Sequence, residues 1–273
     1  MSHLRADALR GKRVTVVGLA RSGVAACKVL ADRGAHVQGT DRLPREQLRG
    51  DLAGLEARGV RLVTGGHRPA DFLEADLIVI SPGVPADMDL VGRARSRGVA
   101  VWAEVELASR LTPARFLGIT GTNGKSTTTS LLGAMLETAG FPVVVAGNIG
   151  TALCEVVPTL GPSHWVVAEL SSFQLETIVT FRPHVAVLLN LAPDHLDRYA
   201  NVADYYAAKV RIFTNQTPED FAVLNADDPP TLEWARGLRS QPRLFSRTRT
   251  VGDGAFVRDG RLVIRRDGRT EPV

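Results

Sequence analysis

Apolar residues run through the first hundred positions in short blocks separated by polar, helix-spaced segments. VTVVG (residues 14–18), HVQGTD (36–41), VRLVTGG (60–66), DLIVISPG (76–83) and VAVWA (99–103) read as strands. Between them the spacing predicts a helix around residues 25–30 that stops at Gly34, a second near residues 47–57 and a third through Arg93 and Arg95. Strands alternating with helices mean βαβ units and a parallel sheet. The near-continuous apolar strands agree, because both faces of such a sheet are covered. A second alternation begins after Leu111-Thr112-Pro113, a short linker: strand ARFLGIT (114–120), a glycine-rich turn, helix STTTSLLGAMLETAG (126–140), then strands HWVVAEL (164–170), HVAVLLNL (184–191) and FAVLNA (221–226). Asp259-Gly260 and Asp267-Gly268, each flanked by alternating residues, predict a closing β-meander. The expected architecture is α/β, with a Rossmann-like parallel sheet domain over residues 1–110 and a P-loop ATPase α/β domain over 111–273 that ends in the meander.

Composition narrows the functional classes. The chain has 273 residues with 33 basic and 29 acidic side chains, a net charge of +4, and 44% hydrophobic residues. The basic excess is small and scattered, without the stripe of a nucleic-acid-binding protein, so no nucleic-acid partner is expected. Cys27 and Cys154 stand far apart with no CxxC spacing, which suggests neither a disulfide framework nor a zinc site. The polar N-terminus lacks an apolar signal region and no apolar run reaches the roughly 18–20 residues of a membrane span. The expectation is a cytoplasmic, monomeric protein without a membrane partner.

The strongest local signal is Gly121-Thr122-Asn123-Gly124-Lys125-Ser126-Thr127 between an apolar strand and a helix. Glycines let successive N–H groups turn toward phosphate oxygens. Lys125 can reach β- and γ-phosphates, and the Ser126 hydroxyl suits Mg²⁺. The spacing departs from G-x-x-x-x-G-K-[ST], since Ile119 stands where the first glycine belongs. Context still reads as an ATP site. Glu169 at the end of HWVVAEL is either a metal-facing carboxylate or a capping or surface acid. Asp194-His195 also follows a strand, and His195 is a metal ligand, a substrate contact or a cap. Lys209, in the helix YYAAKVRIF, reads plainly as a solvated lysine.

GITGTNGKSTTT (118–129), AELSSFQLE (168–176), LNLAPDHLDRY (189–199) and YYAAKVRIF (205–213), in that order, resemble the Mur ligase superfamily, and within it the branch that joins D-glutamate to UDP-N-acetylmuramoyl-L-alanine. The resemblance implies an ATP- and Mg²⁺-dependent, ADP-forming amide ligase of peptidoglycan precursor synthesis, working through an acyl phosphate. It implies that Gly121 to Thr127 bind ATP, that Lys125, Glu169, His195 and Lys209 are catalytic, and that Ser126, Glu169, His195 and Lys209 serve the metal. Lys209 is then carbamylated by CO₂, which turns a neutral amine into an anion able to orient Mg²⁺.

In the first domain Gly18-Leu19-Ala20-Arg21-Ser22-Gly23 occupies the place of a G-x-G-x-x-G fingerprint, with Asp41 at the end of the second strand. Ala20 replaces the glycine that lets backbone approach a pyrophosphate, so NAD-dependent oxidation is the weaker alternative. The resemblance gives this crevice to the UDP group: Ser22 and Gly23 to the diphosphate, Asp41 and Arg42 to uracil, Ser81 and Gly83 to the wall, and Asn148 and His195 to the substrate, Asn148 across the domain interface. Ala20, Arg21 and Arg42 depart from the residues many relatives carry. A non-catalytic nucleotide-binding module remains a second alternative, against which Glu169, His195 and Lys209 together argue. Family members continue for about another domain's length, which carries the amino-acid acceptor site. The chain ends abruptly after the meander, so it is expected to bind the precursor but not to turn it over alone.

Overall fold

The computed structural model describes residues 6–234 and 236–273. Two compact units interleave along the chain. The first takes residues up to 114 together with 146–162 and 173–181, and the second takes 115–145, 163–172 and 182–273.

In the first unit, five apolar segments pair in parallel: β1 (Arg13–Val17), β2 (His36–Thr40), β3 (Arg61–Val63), β4 (Leu77–Ile80) and β5 (Ala100–Ala103), in the order β3-β2-β1-β4-β5. Every residue of β4 is buried, as a strand covered on both faces requires. Helix Arg21–Asp32 buries Val24, Cys27 and Leu30. Helices Pro69–Leu73 and Asp89–Ser96 contribute Phe72, Val91 and Ala94 to a core with Val17, Ile78 and Ile80. The helix expected over residues 47–57 is two pieces, a 3-10 turn at Arg45–Gln47 and helix Leu52–Glu56. Gly50 breaks it: a Cβ there would lie 2.6 Å from Val24 Cγ2. Asp51 then restarts the helix by accepting the Gly54 N–H at 2.9 Å.

Two segments distant in sequence are fastened to helix Glu104–Arg110 by its two buried glutamates. The Glu106 carboxylate accepts the N–H groups of Val179 (2.8 Å), Thr180 (3.0 Å) and Phe181 (2.8 Å) and pairs with Arg110 at 2.7 Å. Burial alone would raise its pKa; these donors outweigh burial and hold it below the ordinary value. Glu104 Oε1 accepts the Cys154 N–H at 2.7 Å at the start of helix Leu153–Val156.

The second sheet has nine strands: β6 (Arg115–Thr120), β7 (Val143–Gly147, whose last two residues belong to the first unit), β8 (Trp165–Glu169), β9 (Val185–Leu188), β10 (Phe221–Asn225), β11 (Gln241–Ser246), β12 (Gly254–Arg258), β13 (Arg261–Arg266) and β14 (Arg269–Pro272), in the order β14-β13-β12-β11-β10-β9-β6-β8-β7. From β8 across to β12 the pairs are parallel, and β12-β13-β14 is the antiparallel meander. Its two turns place Asp259 and Gly260 at φ 52° and 72°, and Asp267 and Gly268 at 50° and 75°. Positive φ at both central residues is the geometry that twists two strands into a hairpin. β7 and β11 have no counterpart in the sequence-based expectation. β11 joins its parallel neighbour β12 through residues 247–253 alone, where a crossover of a dozen or more is usual. The Asp227 carboxylate makes the short path possible by accepting from Ser246 Oγ, Arg247 N and Thr248 Oγ1, each at 2.6 Å. Val251 then folds into a core with Ala226, Phe256 and Val263.

Candidate active site

β6 lies between β8 and β9, third from the β7 edge, so its carboxyl end opens within the second sheet and not at its margin. There the chain turns through Gly121 to Gly124 into helix Lys125–Thr138. Gly124 has φ 83°, a left-handed conformation that glycine adopts without steric cost, and no side chain caps the helix. The first-turn N–H groups and the positive end of the helix dipole therefore face the loop. The loop is held in place from β9's exit. Asn190 Oδ1 accepts the Asn123 N–H at 2.8 Å while its Nδ2 donates to Asn123 O at 3.0 Å. Thr122 N–H donates to Asn190 O at 3.0 Å, and Thr122 Oγ1 donates to Ala192 O at 3.1 Å and accepts the Ala192 N–H at 3.0 Å.

Two ammonium groups converge on this turn. Lys125 Nζ donates to Gly121 O at 3.0 Å and to Thr122 O at 2.9 Å, and Lys209 Nζ donates to the same Gly121 O at 2.8 Å. Lys209 is only 2% exposed, which overturns its plain reading as a solvated lysine. Its ammonium lies 4.6 Å from the centre of the Tyr205 ring. Burial first, and Lys125 second, pull its pKa down to about 7, with Asp194 opposing. A large fraction of Lys209 is therefore the neutral amine near neutral pH. Tyr205 ties the remaining parts together: its hydroxyl lies 3.4 Å from Thr122 Oγ1 and its ring meets the His195 ring edge-on at 5.8 Å. His195 sits at φ 53° in the loop after β9, where its backbone N–H donates to Asp194 Oδ1 at 2.8 Å.

Glu169 is the last residue of β8, level with Ile119 of β6 and 1% exposed, rather than a surface acid. Ser126 and Thr127 are exposed on the first turn of the helix. Among the described residues no three or more His, Cys, Asp and Glu side chains group as a metal cage. Hydroxyl, carboxylate and carbamate oxygens suit Mg²⁺, which is held by few protein ligands and completes its shell with water and phosphate. The uncapped helix, the glycine turn and Lys125 fit a nucleotide triphosphate.

The first unit carries a second crevice, where the strand order reverses between β1 and β4. Gly23 touches the backbone of Gly18 so closely that a Cβ on it would lie 1.8 Å from Gly18 O. Ser81 Oγ donates to that same oxygen at 2.8 Å. Asp41 shapes the turn, accepting the Leu19 N–H at 2.7 Å and the Leu43 N–H at 2.9 Å. Helix Arg21–Asp32 has neither a side-chain cap nor an acid in its first turn, so the N–H groups around Ser22 and Gly23 suit an anion. Leu19, Ala20, Asp41 and Leu43 line a groove of 960 Å³. Arg42, Gly83 and Asn148 are all exposed on this unit.

The Mur ligase middle domain matches residues 119–257, and the N-terminal domain of the MurD-like Mur ligases matches residues 12–103. The chain belongs to the Mur ligase family. It is 49% identical over 263 residues to a UDP-N-acetylmuramoylalanine–D-glutamate ligase of Pelobacter propionicus, covering 96% of this chain and 59% of that protein. It is 46% identical over 257 residues to the ligase of the same name from Koribacter versatilis, covering 94% of this chain and 57% of that protein. The chain thus spans under three fifths of the length of these relatives. The crystal structure of a UDP-N-acetylmuramate:L-alanyl-gamma-D-glutamyl-meso-diaminopimelate ligase from Neisseria meningitides shares the fold, with a TM-score of 0.59 at 22% identity, covering 95% of this chain and 85% of that one.

In this Mur ligase chain, the glycine turn lies between strand and helix where the sequence pattern expects it, Lys209 was singled out only through the family resemblance, and Asn190 and Tyr205 were passed over. Asn190 carried a signal, a polar residue in the register of an otherwise apolar strand, LLNL. Tyr205 carried little, because an aromatic on a helix face is ordinarily core. No helix among the described residues is long and apolar enough to cross a membrane.

Proposed function

We propose that this chain is the nucleotide- and precursor-binding part of an ATP-dependent ligase that joins D-glutamate to UDP-N-acetylmuramoyl-L-alanine. The observation that carries the reading is the meeting of Lys125 and the buried Lys209 on the carbonyl of Gly121 in a pre-braced phosphate loop. The Lys125 ammonium suits the charge that builds up on a transferring phosphoryl group, and Lys209, which burial and Lys125 push toward the neutral amine, stands beside it on the same turn. The names of the relatives supply the substrates.

On this reading ATP lies along Gly121 to Thr127, with Lys125 on its β- and γ-phosphates. The precursor's carboxylate attacks the γ-phosphorus in line, giving an acyl phosphate and ADP. The amine of D-glutamate then displaces inorganic phosphate to form the amide. Bound Mg²⁺ would neutralise phosphate charge, with Ser126, Glu169, His195 and Lys209 as the residues that hold or orient it. Lys209 takes up CO₂ as its neutral amine, forming an N–C bond and releasing one proton, and the resulting carbamate adds an oxygen donor. The UDP group takes the first unit's crevice: Ser22 and Gly23 the diphosphate, Asp41 and Arg42 the uracil side, Ser81 and Gly83 the wall, with Asn148 on the precursor. A cytoplasmic location and a monomeric state belong to the same reading.

Calorimetric titration with UDP-N-acetylmuramoyl-L-alanine, with UDP and NADH as controls, tests it. Precursor binding tighter than UDP, with no NADH binding, is the expected result. NADH binding without precursor binding would overturn it in favour of an oxidoreductase.

A further inference from the structure

Within the first unit, Arg21 reaches from the start of its helix to the loop at residues 147–150. Its guanidinium donates to Gly147 O at 3.4 Å, to Asn148 O at 3.2 Å and to Gly150 O. The loop is a closed turn: the Gly147 N–H donates to Thr151 O at 2.9 Å, and Ala146 bridges to Thr151. Its exit is pinned three residues later, where buried Glu104 accepts the Cys154 N–H at 2.7 Å. Asn148 is the one polar side chain on this turn and is exposed. Three carbonyls converging on one side chain call for a planar fork with several fixed donors, which arginine has and lysine lacks. Arg21 also stands beside Ser22 and Gly23, so it couples the anion-binding helix end to the turn that carries Asn148.

We propose that Arg21 is a positioning residue for the UDP-precursor site: it clamps the 147–150 turn so that Asn148 is presented in one orientation, and it acts through Asn148, not by touching the ligand. The role rests on the precursor-binding reading above. A site built this way has its ordering cost met before the ligand arrives, and loosening the turn weakens binding without removing any ligand contact.

The test is a double-mutant cycle of Arg21→Met and Asn148→Ala, read by precursor titration, with hydrogen exchange of the turn's amides in the free chain as a second readout. Each single variant is expected to weaken precursor binding about tenfold, the scale of one charge-assisted or buried hydrogen bond. The double variant is expected to bind no more weakly than the weaker single one, because both changes remove the same contact. Arg21→Met should also speed exchange of the Gly147 amide, with Arg21→Lys intermediate, while urea midpoints confirm that all variants are folded. Additive losses would show that Arg21 meets the ligand itself and would overturn the proposal, as would unchanged exchange. If the unsubstituted chain binds no precursor, the ligand reading fails and takes Arg21's role in binding with it, while the exchange result still decides whether Arg21 is a clamp.

Discussion

Glu104 and Glu106 stand two residues apart on one helix, both buried, and their titrations oppose each other. Glu104 is 1% exposed and accepts the Cys154 N–H at Oε1, while Oε2 is buried with no hydrogen-bond partner among the described residues. Burial drives its pKa from 4.5 up to about 7, against the smaller opposing effects of the Cys154 N–H and the charge of Arg21. An acid whose folded pKa is raised contributes stability below its unfolded pKa and loses it as pH rises through the folded value. Carrying the carboxyl from 4.5 to about 7 corresponds to roughly 3 kcal/mol, lost between pH 4.5 and pH 8. Glu104→Gln keeps the acceptor for Cys154 and removes the ionisation. The variant should match the parent near pH 4 and exceed it by roughly 3 kcal/mol at pH 8. Urea unfolding followed by tryptophan fluorescence reads this locally, since Trp102 is buried in β5 two residues before Glu104. Parallel curves for parent and variant from pH 4 to pH 8 would refute the reasoning, because the carboxylate would then be ionised in the fold at no cost.

Glu106→Gln should behave in the opposite sense. It turns an acceptor into a donor facing three backbone N–H groups and should cost about 2–4 kcal/mol at neutral pH. In the parent protein, Glu106's contribution is present above its ordinary pKa of 4.5 and is lost as pH falls through its depressed folded value, so acid unfolding should narrow the gap. Gly23→Ala should cost about 1–3 kcal/mol by urea unfolding, since its Cβ would meet Gly18 O, whereas Gly83→Ala, with open space around it, should stay within about 0.5 kcal/mol. Lys209→Met should leave the urea midpoint unchanged or raised, because a buried ammonium is costly, and should abolish the carbamate signal seen by NMR in ¹³C-bicarbonate. A carbamate signal that survives in the variant would assign the modification elsewhere.

Strands β1, β4, β6, β8 and β9 were legible because their burial on both faces writes an unbroken apolar run into the chain. The meander was legible because two Asp-Gly pairs encode the positive φ values at its turns. β7 and β11 were not: three of the five β7 residues are only half-buried, and β11 begins with Gln241-Pro242-Arg243, a poor strand signature. The assignment of residues 146–162 and 173–181 to the first unit was also hidden, because the glutamates that fasten them lie some 50 to 75 residues earlier in the chain.

The sharpest divergence between pattern and structure falls on Lys209. A lysine in a helix of mixed polarity is solvated unless something else supplies partners, and within YYAAKVRIF only the Tyr205 ring does so. Its partners come from the phosphate loop, some 88 residues earlier, through Gly121 O, and from Tyr205 one turn before it. Asn190 braces that loop from the other side by gripping both the N–H and the carbonyl of Asn123. The loop is thus formed by side chains that carry no charge, while Lys125, and Lys209 in its protonated fraction, hydrogen-bond only carbonyls among the described residues. Carbonyls satisfy hydrogen bonds but do not neutralise charge, so the folded chain keeps an unbalanced positive field at the turn. That imbalance costs stability in the free chain and is relieved by an anion at the loop. It is the arrangement expected of a site selected to bind phosphate.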